Sequence, residues 1–236
     1  LRRSSAASDV YKRQAIEAAV EACVVLEDDP VFNAGTGSVF RTDGSVHLDA
    51  SIQTSEGKMG FVIAMQDTPN PIRVAADLLD EDINGLSGDG ARLWADSKGF
   101  EKSNVQGRPP FEGATDTIGV VARDKSGLIV CATSTGGTSN RPPGRVGDVP
   151  LPGCGFWVQD GVGVGATGIG EAITRGMISL RVADRILEGN DLEGSMMWAL
   201  DECLEEGAEV GIIALGAEGT GPVSYTHLRA HETQRN

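Results

Sequence analysis

Over residues 15–27 the apolar side chains of Ile16, Ala19, Val20, Cys23 and Val24 recur at helical spacing, which predicts an amphipathic helix. After the turn Asp28-Asp29-Pro30, the stretch Asn33-Ala34-Gly35-Thr36-Gly37 is too glycine-rich for regular structure. Residues 38–41 and 45–53 flank Thr42-Asp43-Gly44 and read as a hairpin. Met59–Met65 is nearly all apolar, a buried strand. Asn70 and Pro71 supply an N-cap and an N1 proline for a helix through Leu79, and a shorter helix over 89–97 ends at Lys98-Gly99. Residues 101–116 are polar and aperiodic, a linker. Beyond it, 117–123 and 128–133 form a second hairpin around Asp124-Lys125-Ser126-Gly127, and 162–166 is a short strand. Ile173, Met177, Leu180, Ala183 and Leu187 make one stripe of a helix over 171–187; another helix over 192–206 stops at Gly207, and Val210–Leu215 is a last strand.

The order is meander, helix pair, meander, helix pair, strand. It predicts an α+β fold, antiparallel sheets carrying helix pairs on their outer faces. A chain of 236 residues buries one sizeable core, so a single domain is expected over 15–222. The ends stand apart: residues 1–14 and 223–236 hold both tyrosines and two of the three histidines, and read as adapter- or vector-like tails foreign to the domain. A net charge of −14 excludes nucleic acid and an anionic membrane surface as partners. No apolar run approaches the roughly 18 residues that span a bilayer. The four cysteines, Cys23, Cys131, Cys154 and Cys203, lack metal-type spacing and read as free thiols, three of them buried, which favours a reducing, cytoplasmic location.

The chemistry concentrates between Asp116 and Gly170. Asp116-Thr117-Ile118-Gly119 puts a threonine at the start of an apolar strand. Thr133-Ser134-Thr135-Gly136-Gly137 ends the next one, and Gly144-Arg145-Val146-Gly147-Asp148 follows. Thr167 and Gly168 precede the helix at Glu171, with Gly170 between. A threonine hydroxyl is a weak nucleophile and needs a base beside it. A free α-amine on the same residue, with a pKa of about 7.7–8.0, is such a base. A guanidinium and a carboxylate such as Arg145 and Asp148 suit a zwitterionic amino-acid head group.

With these motifs in this order, the chain resembles the plant-type L-asparaginase / isoaspartyl peptidase family of N-terminal-nucleophile hydrolases, over roughly residues 15–222 and most strongly over 113–175. The resemblance implies a four-layer αββα sandwich, here lacking terminal strands. It implies self-cleavage between Asp116 and Thr117, dividing the domain into 15–116 and 117–222, with Thr117 as nucleophile. Thr135 would orient it, Thr167 and Gly168 would form the oxyanion hole, and Arg145, Asp148, Thr167, Gly168 and Gly170 would bind a small substrate, asparagine or a β-aspartyl peptide. No cofactor is expected. Relatives often hold a structural sodium on backbone carbonyls near residues 26–33, which leaves little trace in sequence, and assemble as homodimers of processed precursors.

Three other readings compete. Asp116-Thr117 is similar to the glycosylasparaginase branch, whereas Ser134-Thr135-Gly136-Gly137 and residues 140–144 look like the asparaginase branch. A catalytically silent, truncated fragment would keep every motif. Gly163-Val-Gly165-Ala-Thr-Gly168 formally matches a dinucleotide fingerprint and would suit an oxidoreductase, but no βαβ unit surrounds it and the spaced acid, Glu188, falls at a helix end.

Overall fold

The computed structural model describes residues 2–109, 117–216 and 223–224, with side chains over 14–109 and 117–216. Its first helix, α1, runs over Arg2–Asp28, so the predicted helix is continuous with residues that the sequence reading set aside as a tail. The strands β1 (Leu48–Thr54) and β2 (Met59–Met65) follow, joined by a turn over 55–58. The hairpin expected over 38–53 is thereby corrected. Its turn closes, with Arg41 N–H donating to Ser45 O at 2.8 Å, but residues 38–41 form no ladder. They are held by Arg108, Asn33 and Thr138 instead. Helix α2 (Pro71–Asp77) begins at the expected proline. Asn70 supplies no cap, its side chain donating to Asp28 Oδ1 at 3.0 Å. A short strand, β3 (Gly85–Ser87), and α3 (Gly88–Lys98) complete the first half, with Gly99 ending α3 at a φ of 76°.

After residue 117 come β4 (Ile118–Arg123), β5 (Ile129–Thr135), β6 (Phe156–Gln159) and β7 (Val162–Gly168). The helix expected over 171–187 is two helices, α4 (Gly170–Gly176) and α5 (Ile178–Leu187), broken where Met177 turns left-handed at a φ of 46°. Helix α6 (Leu192–Glu202), capped by Asp191, and β8 (Val210–Leu215) lead to β9 (Val223–Ser224), two residues of the second presumed tail that pair with β8.

One sheet has the order β3-β2-β1-β5-β4 and the other β6-β7-β8-β9. Alternation along β5 explains the layering. Val130 and Ala132 pack with α1 and α2 on one face; Ile129 and Cys131 meet Phe156 and Val158 of the second sheet on the other. Helices α5 and α6 cover the far side, burying Ile178, Val182, Met196 and Ala199 against β7 and β8. The result is a four-layer αββα sandwich. Its sheets approach closely because β7 carries glycines: a Cβ on Gly163 would stand 2.7 Å from Ile129 Cγ2 and 2.8 Å from Val121 Cγ1. The dinucleotide-like glycines thus lie in an antiparallel strand at a sheet–sheet contact, and the oxidoreductase reading loses its structural basis.

Candidate active site

Ile118 pairs with Ser134 and faces the helices, so Thr117 stands beside Thr135 on the opposite face, which looks toward the second sheet. Thr117 Oγ1 donates to Thr135 Oγ1 at 3.1 Å. The Thr135 hydroxyl is buried and held three ways: it also accepts Gly137 N–H at 3.0 Å and donates to Asn33 O at 3.4 Å. The glycine-rich loop after α1 clamps this corner. Asn33 donates its side-chain amide to Gly137 O and accepts from Val39 N–H, and its carbonyl takes Gly136 N–H at 2.8 Å. A Cβ on Gly136 would stand 2.4 Å from Ser38 Cβ. Asp116, on the other side of the expected scissile bond, lies outside the described residues.

The turn after β5 and the start of α4 bring together Arg145, Asp148, Gly170 and Glu171. Arg145 is almost buried and uses one edge of its guanidinium, Nε and Nη2, on Glu171 at 3.0 and 2.8 Å. That leaves the Nη1/Nη2 edge for a second carboxylate. The Glu171 carboxyl is held below its usual range by this bond. Asp148 is buried with Oδ2 lacking a partner, and burial raises its pKa to about 7. A Cβ on Gly170 would sit 2.8 Å from both Arg145 Nη2 and Asp148 Oδ1, so only glycine leaves the space between them open.

Thr167 closes the site from the second sheet. Gly163 faces Ile129 and Gly165 faces Cys131, and two residues further on Thr167 continues toward the Thr133–Thr135 end of β5; its buried Oγ1 has no partner. Gly168 has a φ of 136° and its Cβ would collide with Glu209 O at 2.1 Å, a position for glycine alone. Thr117 and Thr135 thus pair on the first sheet, Arg145, Asp148 and Gly170 meet at a loop and a helix start, and Thr167 and Gly168 end the strand that leads into that helix. Sequence reasoning passed over Asn33, Asp49 and Glu171. Asn33 was visible only as part of a loop, and Glu171 as an ordinary acid in a first helical turn. Among the described residues no group of three His, Cys, Asp or Glu side chains is placed to hold a metal ion. All four cysteines are free, and among the described residues no helix is long and apolar enough to cross a membrane.

Residues 6–108 and 103–233 match the profile of the asparaginase family. The chain is 36% identical to the plant-type L-asparaginase of Pyrobaculum calidifontis, over 89% of this chain and 80% of that protein. It is 32% identical to the isoaspartyl peptidase/L-asparaginase of Synechocystis, over 87% of this chain and 70% of that one. Against the isoaspartyl peptidase/L-asparaginase of Bos taurus it is 32% identical, over 96% and 82%.

Proposed function

The chain belongs to the asparaginase family, and from that premise we propose that it is a self-cleaving threonine amidohydrolase of β-aspartyl amide bonds. Its substrates are L-asparagine, released as aspartate and ammonia, and β-aspartyl peptides. The observation that carries the reading is the Thr117–Thr135 hydroxyl pair standing at the same end of the sheets as the Arg145/Asp148/Gly170 cradle.

Thr117 Oγ first attacks the carbonyl carbon of Asp116, the Asp116–Thr117 C–N bond breaks to free the Thr117 α-amine, and water cleaves the resulting ester to restore the hydroxyl and release the Asp116 carboxylate. That amine then takes the Thr117 hydroxyl proton, and Oγ attacks the side-chain amide of a substrate whose α-carboxylate lies on the free edge of Arg145 and whose α-ammonium faces Asp148. The Thr167 hydroxyl, beside Gly168, donates to the tetrahedral oxyanion. The amine returns the proton to the departing nitrogen, and water resolves the β-aspartyl ester. The free cysteines fit a reducing, cytoplasmic setting, and a homodimer of cleaved chains is the assembly this reading carries.

The test is intact mass and N-terminal sequencing after days at neutral pH, with L-asparagine hydrolysis, for the wild type and Thr117→Ala. Two fragments with a new terminus at Thr117 and ammonia release, both lost in the variant, are expected. Hydrolysis that survives in Thr117→Ala would overturn the assignment.

A further inference from the structure

Asp49, on β1, is an acid that no step above uses, and it is fully buried. Further along the same strand Ser51 and Gln53 point at the second sheet. Ser51 Oγ donates to Val149 O at 2.7 Å, and Gln53 exchanges two hydrogen bonds with the Val158 backbone. Asp49 shares their face. It lies directly opposite Thr135, whose other neighbour is Thr117. Thr117, just ahead of β4, Thr135 on β5 and Asp49 on β1 therefore form a row.

The backbone is bent around this carboxylate. The β1–β2 ladder slips between Leu48 and Ala50, leaving Asp49 opposite two residues of β2. One of them, Ala64, takes a φ of 51°, disfavoured for a residue with a Cβ, and its N–H donates to Asp49 Oδ1 at 2.8 Å. Asp49 Oδ2 has no hydrogen-bond partner. A buried carboxylate oxygen without a donor is costly unless nearby charge offsets it. Arg41 and Arg145 are the cations that act on Asp49, and Asp148 is the acid that feels it. Arg41 spends its donors on main-chain oxygens, Thr138 O at 3.2 Å and His47 O at 3.4 Å, so its charge is not taken up by a carboxylate contact.

The geometry assigns Asp49 a positioning role in head-group recognition: its buried carboxylate tips the charge of the site in favour of the substrate's α-ammonium, which Asp148 contacts directly. The charges that act on one another around Asp49 are Arg41, Arg141 and Arg145 against Asp43, Asp148 and Glu171, three against three once Asp148 is ionised above about pH 7. Asp49 makes the acids the majority, and in a buried site that surplus is felt by a cation. The inference rests on the head-group reading given under Proposed function.

Calorimetric titration of wild type and Asp49→Asn with L-aspartate and with succinate, the same dicarboxylate without the ammonium, tests it. The variant keeps an acceptor for the Ala64 N–H. L-Aspartate is expected to weaken at least tenfold and succinate less than twofold, while KM for L-asparagine rises and kcat stays within about threefold. Equal weakening of both ligands, or of neither, overturns the role and leaves Asp49 as a support for the bulge at Ala64. Should Asp49→Asn fail to fold, Asp49→Ser, which fits the same space and accepts the same N–H, gives the same pair of outcomes. A wild type that binds L-aspartate without hydrolysing L-asparagine would sink the proposed activity and leave this inference standing; one that binds neither ligand would sink both.

Discussion

Between the two sheets, the middle lined by Ile129, Cys131, Phe156 and Val158 and the end lined by Thr117, Thr135 and Asp49 share one strand, β5, and the face of it that looks at the second sheet. In the middle the polar groups that do occur are fully matched. Gln53 and the Val158 backbone satisfy each other, and Ser51, Thr133 and Val149 O form a closed set. At the end four buried polar atoms are left over: Asp49 Oδ2, Asp148 Oδ2, Thr167 Oγ1 and Arg41 Nε. Folded chains satisfy nearly all such groups, and although single leftovers occur elsewhere, as at Thr54 and Arg185, those at this end are the ones the proposed substrate would partner. A zwitterionic head group and an oxyanion have the matching charges. The middle holds the sheets together, and the end is held open by it.

The largest effect expected from breaking the contrast is at the open end. Arg145→Ala removes the proposed carboxylate anchor and strands Glu171, and kcat/KM is expected to fall by about 2–5 kcal/mol, roughly 30- to 5,000-fold, in steady-state assays. Unchanged kcat/KM would mean the substrate carboxylate binds elsewhere.

A smaller effect follows from Asp148, whose carboxyl burial lifts from 3.8 to about 7. Protonated, it cannot hold an ammonium, so the affinity for L-aspartate is expected to drop about tenfold for each pH unit below about 7. The stability consequence has the opposite sense. The native carboxyl keeps a proton that the unfolded one loses, so its contribution is full below about pH 4 and is lost as pH rises through about 7. Asp148→Asn should therefore gain on the wild type in urea melts at pH 8 and not at pH 4. A variant that gains equally at both would show the carboxyl to be ionised throughout.

Smallest is the change in the dry middle. Gly163→Val drives two methyls toward Ile129 and Val121 and is expected to cost about 1–3 kcal/mol of stability while leaving KM alone. A shift in KM without loss of stability would erase the distinction between the two regions.

Much of this was readable in the chain because local pattern and tertiary demand agree. Met59–Met65 is apolar throughout and is a strand over those same residues, and β4 and β5 pair around the turn at Asp124–Gly127 that their spacing announces. The failures have physical reasons. Residues 38–41 carry a strand-like pattern, but their hydrogen-bonding groups go to Arg108, Asn33 and Thr138, long-range partners that no local window contains. Met177 fits the apolar stripe of a helix and hides the left-handed turn that ends α4. The four residues of β6 are too few to show a period. At the site, motif order pointed to Thr117, Thr135, Arg145 and Asp148, whereas Asp49 and Glu171 matter through what faces them across the fold. Only an acid in an otherwise strand-like run, Leu-Asp-Ala-Ser-Ile, hinted at the former.

The strand order β3-β2-β1-β5-β4 sets β1, from before residue 117, directly against β5, from after it, and α1 lies across β4 and β5. A cut ahead of Thr117 therefore severs the polypeptide without opening a seam in the molecule. The six-rung ladder from Asp49↔Thr135 to Thr54↔Val130 keeps the halves zipped, and each half presents the other with the sheet edge it would otherwise leave bare.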